Sequence, residues 1–136
     1  IHEPVPRYEQ DLIPRPGNFL DRISHKMIVA RTGWSLTACS DLALDHEKKV
    51  VKKDPSELIV RVERQTLRKI PNSDAIAFTI RIHRWPLHVI KDDADLANDL
   101  LTSLKKLPDE IKTYKTETVE LSPLVENYLS NRTNQL

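Results

Sequence analysis

The stretch Leu58 to Ile70, LIVRVERQTLRKI, sets a carboxylate among cationic and amide groups at every second residue. In an extended strand, alternate side chains share a face. Arg61, Glu63 and Gln65 therefore stand on one side, and Leu58, Val60 and Val62 on the other. Downstream, AIAFTIRIH alternates again. Its apolar row is Ile76, Phe78, Ile80 and Ile82, and opposite it stand Ala75, Ala77, Thr79, Arg81 and His83. A carboxylate in such a setting can hold a small cation, and forked guanidinium groups suit carboxylates or phosphates. Alanines beside them leave room for an anionic or planar ligand. The competing account is a solvated sheet face whose cross-strand ion pairs contribute about 0.2–1 kcal/mol each.

The elements that must position these groups form a hairpin. PNSD at residues 71–74 supplies turn chemistry between the two alternating runs. If the apolar rows of both strands face one side, Val60 and Val62 lie beside Ile80 and Ile82. That condition admits two registers, with Glu63 opposite either His83 or Arg81. In both, Arg61, Glu63, Gln65, Arg81 and His83 share one face.

Around the hairpin, Pro4, Pro6, Pro14 and Pro16 exclude a long helix from the lead-in. Asn18 is placed to cap a short helix with Phe19, Leu20 and Ile23 inward. A strand is expected over Ile28–Leu36, then a charged connection over residues 40–56. After Trp85-Pro86 the spacing becomes helical. Asp92 or Asp93 is the cap, and Leu96, Leu100, Leu101, Leu104 and Leu107 form the stripe. Pro108 ends that helix or opens a further turn through Ile111 and Tyr114. Ser122-Pro123 is expected to open a last helix with Leu124, Val125, Tyr128 and Leu129 on one stripe. The fold class is therefore α+β, an antiparallel sheet with C-terminal helices packed on it.

Composition narrows the function. The chain has 136 residues, 21 basic and 20 acidic, for a net charge of +1. That balance gives no case for nucleic acid or an anionic membrane surface. The basic run HEKKVVKKD is expected to be a solvated loop. No apolar run approaches the roughly 18 residues of a membrane span. A single cysteine, Cys39, excludes an internal disulfide and a cysteine-based zinc cluster, which fits an intracellular, cytoplasmic setting. Two glycines preclude a glycine-rich phosphate loop. None of the five histidines pairs at the helical spacing of a zinc site. The first residue is Ile1, so a trimmed or partial chain is expected, one domain over residues 1–136.

Three motifs carry a resemblance. RVERQTLRKIP at Arg61–Pro71, FTIR at Phe78–Arg81 with PL at Pro86-Leu87, and the lead-in IHEPVPRYEQDL resemble the haem-dependent oxidative N-demethylase family, catalytic subunits of dimethylamine monooxygenase type. WSL at Trp34–Leu36 and Tyr114-Lys115 agree with it. Four positions depart from the family pattern: Arg7 stands for a glycine, Gly33 for an asparagine, and Ile82-His83 for Thr-Tyr.

The resemblance implies a PAS-like sheet cupping haem b, this chain forming the C-terminal part of a larger haem domain. It implies O2-dependent monooxygenase chemistry, the oxidative N-demethylation of a small secondary amine, with electrons from a flavin and iron–sulfur reductase partner. A homodimer or a complex with other subunits is compatible with it. On that view Glu63 binds the amine as the catalytic carboxylate. Arg61, Arg64, Arg68 and Arg81 pair with haem propionates, Gln65 and His83 line the cofactor, and His2 is the axial iron ligand. Arg64, on the other strand face by alternation, needs a bulge or a sheet-end position to join them. The alternative is a non-catalytic PAS-like ligand-binding or assembly module.

Overall fold

The computed structural model describes residues 20–39 and 54–131. The proline-rich lead-in, the expected cap at Asn18 and most of the charged connection lie outside the described residues. Residues 20–22 are helical, strand β1 (Ile28–Thr37) follows, and Pro55–Glu57 forms a single 3-10 turn. Strands β2 (Ile59–Lys69) and β3 (Ile76–Pro86) follow, then helices α1 (Leu87–Asp92), α2 (Ala94–Lys105), α3 (Asp109–Tyr114) and α4 (Thr116–Ser130). The three strands make an antiparallel sheet in the order β1-β2-β3. The α+β architecture follows directly.

The hairpin register departs from the expected one. Ile70 N–H donates to Ala75 O at 2.9 Å, and Leu87 N–H donates to Leu58 O at 2.7 Å. Thr66 and Thr79 hydroxyls meet at 2.6 Å. Each pair sums to 145, so one odd register runs from the turn to the base of the hairpin. Val62 is therefore opposite His83, Glu63 opposite Ile82, and Arg64 opposite Arg81. Turn closure overrides the matching of apolar rows. A four-residue loop, Pro71–Asp74, closes between Ile70 and Ala75, and Asn72 takes a left-handed φ of 58° that asparagine tolerates. A register of the expected kind would need a loop of odd length.

The consequence is a one-residue exchange of faces across β3. Arg81 and His83 share a face with Val62, Arg64 and Thr66, not with Glu63. The apolar row Phe78, Ile80 and Ile82 stands beside Glu63 and Gln65 instead. Phe78 is 50% exposed and Ile80 46%. The five-residue polar face expected from the sequence is thus split between two faces, and Arg64 needs no bulge to meet Arg81.

The described residues fall into two compact units. In the first, residues 20–33 and 63–82, the outer lengths of the strands carry the hairpin turn, with Ile23 buried before β1. The second unit, residues 34–62 and 83–131 as described, holds the main core. Leu36, Leu58 and Val60 pack there with Leu87, Ile90, Ala97, Leu100, Leu104, Leu121, Val125 and Leu129. Each fully buried side chain of this size contributes about 1.5–3 kcal/mol.

Within this second unit, α4 fastens the open edge of β1. Leu36 N–H donates to Thr118 Oγ1 at 3.0 Å, and Ala38 N–H to Glu117 Oε1 at 2.8 Å. Lys115 Nζ donates to the Trp34 carbonyl and lies 4.9 Å from the Trp34 ring centre. These contacts satisfy edge groups that would otherwise invite another strand.

Two helix details also differ from the sequence expectation. The last helix begins at Thr116, not at Ser122, and Pro123 lies inside it. Burial of Thr118, Leu121 and Val125 holds the first turns in place despite the missing proline N–H. Leu124 and Leu96 are exposed, while Ala97 takes the buried position in α2. Asp93 is the cap of α2 and accepts from Asp95 and Leu96 N–H.

Candidate functional site

The site assembles on the face of the first unit that carries the odd-numbered residues of β2. Arg31 Nε donates to Gln65 Oε1 at 2.6 Å, and Gln65 Nε2 donates to Glu63 Oε2 at 3.1 Å. The side chains form a relay in which an amide links a guanidinium to a carboxylate. Glu63 and Gln65 are half-buried. Both orient because β2 places them two residues apart on one face, and β1 supplies the cation.

Across the hairpin, Ile82 stands opposite Glu63, Ile80 opposite Gln65 and Phe78 opposite Leu67. The result is a polar row lying against a partly exposed apolar row. Such a surface suits a flat, largely apolar molecule that carries a few charged groups. The carboxylate suits an ammonium, and the Arg31 guanidinium has further donors on Nη1 and Nη2 for a carboxylate.

The sequence candidates are distributed as follows. Glu63 and Gln65 come together, and with them Arg31, which the sequence reading passed over. Its signal was present: Val29, Arg31 and Gly33 alternate on the strand beside β2. Arg61 shares their strand face but lies in the second unit, opposite Arg84 and only 5% exposed. Arg64, Arg68 and Arg81 are exposed on the other face, together with half-buried His83. One ligand on one side of the sheet cannot touch both Glu63 and Arg81. His2, the expected iron ligand, lies outside the described residues, as does His46. His88 Nδ1 sits 3.1 Å from Ser56 O. Among the described residues no group of three or more His, Cys, Asp or Glu side chains could hold a metal ion, and no helix is long and apolar enough to cross a membrane.

The class defined by the fold is an α+β protein, with Glu63, Gln65 and Arg31 hydrogen-bonded along one face of its sheet. Residues 1–124 match the family model described as haem-dependent oxidative N-demethylase, alpha subunit-like. The chain belongs to that family. The family description names a haem-dependent oxidoreductase and, in the words alpha subunit, one component of a larger assembly.

Proposed function

We propose that this chain supplies the substrate-binding sheet of an enzyme using haem b to demethylate a small secondary amine. The observation that carries this reading is the Arg31–Gln65–Glu63 relay beside Phe78, Ile80 and Ile82. These residues fit the cofactor's chemistry. The exposed isoleucine and phenylalanine side chains match the apolar macrocycle, and Arg31 matches a propionate.

Glu63 binds the amine as its ammonium and orients it. In a partly dry setting a carboxylate–ammonium pair is stronger than in water, and half-buried Ile82, opposite Glu63, removes part of the water around it. A Glu63 carboxylate oxygen is also the acceptor for the ammonium proton, which must leave before nitrogen can donate electrons. Gln65 keeps the carboxylate turned toward this position, and Arg31 fixes the amide that does so. Haem, when bound, supplies O2 activation: one oxygen atom ends in formaldehyde and the other in water. Two electrons enter from a flavin and iron–sulfur reductase.

The test is an absorption spectrum of the purified chain titrated with haemin and then with dimethylamine. A stoichiometric Soret band that shifts on amine addition supports the reading, and Glu63→Gln should move that shift to higher amine concentration while keeping the band. A folded chain that gives no band would leave the non-catalytic, ligand-binding module as the better account.

A further inference from the structure

The opposite face of the same hairpin has a different character. In the first unit its cross-strand pairs are Arg64 with Arg81, Thr66 with Thr79, and Arg68 with Ala77. Arg64 and Arg81 stand directly opposite each other, a position where like charges destabilise a ladder. Both are exposed, as is Arg68. On the neighbouring strand β1, Thr32 continues this face, because it lies one residue from Arg31 on the alternating backbone. It is exposed and adds a hydroxyl but no charge.

No Asp or Glu occupies this face of β1, β2 or β3. The carboxylate in the turn, Asp74, is turned to Lys69 at 3.3 Å. Thr66 and Thr79 engage each other, and Ala77 is small enough for another chain to approach the sheet. The strip is therefore three forked donor groups with a low surface between them and, among the described strand residues, no carboxylate on the same face.

We propose that this arginine strip docks an acidic protein segment, one presenting several carboxylates in extended spacing. Arg64 and Arg68 lie four residues apart, about 13 Å along a strand, which spans several residues of an extended partner. Guanidinium forks recognise carboxylates in a bidentate manner, so an opposed pair converts from a repulsive contact into a clamp once a carboxylate enters. Nucleic acid fits less well. The chain carries 20 acidic residues against 21 basic ones, so a long polyanion finds no net attraction beyond the strip. The amine-binding reading concerns the other face and does not depend on this one.

The experiment is fluorescence anisotropy of a labelled hexaglutamate peptide with the full chain, at low salt. Binding is expected, with a loss of about tenfold or more in Arg64→Gln/Arg81→Gln and none in Lys106→Gln. Arg81→Gln alone should lose part of the affinity, which keeps the test open if the double variant misfolds. Unchanged peptide binding by the Arg81 variant and the folded double variant would overturn the proposal. Tighter binding of a labelled oligothymidylate than of the peptide would overturn it too, by assigning the strip to nucleic acid.

Discussion

Thr66 and Thr79 face each other across the β2–β3 hairpin with their hydroxyl oxygens 2.6 Å apart. That contact, with the backbone bonds at both ends of the hairpin, fixes which side chains share a face. It separates Glu63 from Arg81 and joins Arg64 to it.

The opposed arginines give a direct check on register. Arg64→Glu replaces a repulsive cross-strand pair with an attractive one. Denaturant unfolding should show a stability gain of about 0.2–1 kcal/mol. The gain should vanish in an Arg81→Ala background, because no cation then faces the new carboxylate.

Glu63 is the residue on which the amine-binding reading turns. Glu63→Gln keeps the side-chain shape and the neighbour Gln65 but removes the charge. Amine affinity, read from the Soret shift of haem-loaded protein, should fall by about 10–100-fold, the range for a charge-assisted hydrogen bond. Thermal unfolding should change little by comparison.

Thr118 holds the edge of β1 from α4. Thr118→Ala leaves the Leu36 N–H buried without its acceptor, at a cost of about 1–3 kcal/mol. Thr118→Ser keeps the hydroxyl and should recover most of that loss. Urea unfolding of the two variants, side by side, separates the hydrogen bond from the lost methyl group.

Leu87 opens α1 with its side chain fully buried, and its own N–H closes the hairpin on Leu58 O. Leu87→Ala leaves that backbone bond intact and empties a space in the core. A loss of about 2–5 kcal/mol is expected from chemical denaturation.

The alkaline limb of stability should report Tyr128. Burial raises its phenol above the ordinary 10.0, and the charges of Asp54 and Asp92 push the same way. Lys91 lies 4.2 Å from the ring centre. A raised folded-state value means the unfolded chain loses this proton first as pH rises. The stabilising contribution is whole below pH 10 and is lost as pH climbs through the folded value. Unfolding midpoints measured from pH 9 to about 11.5 should fall more steeply for the wild type than for Tyr128→Phe.

Much of this was legible in the residues. Alternation over Leu58–Leu67 and Ala75–His83 located both strands, and the leucine spacing after Asp93 located α2, because side-chain periodicity is set by the geometry of each element alone. The same alternation put Glu63 and Gln65 together, and the motif from Arg61 to Pro71 pointed to the family. Tertiary structure decided what alternation cannot: which row of one strand meets which row of the next. Matching apolar with apolar favoured a register that the turn does not make. The four-residue loop closing Ile70 on Ala75, with Asn72 left-handed, settled the parity, and a change of one residue there turns every β3 side chain to the other face. Arg31 entered the site for the same reason, since only strand order shows which side chain of β1 reaches Gln65. The start of α4 was likewise settled by packing, because burial of Thr118 and Leu121 outweighs the proline that, by local rules, should have begun the helix.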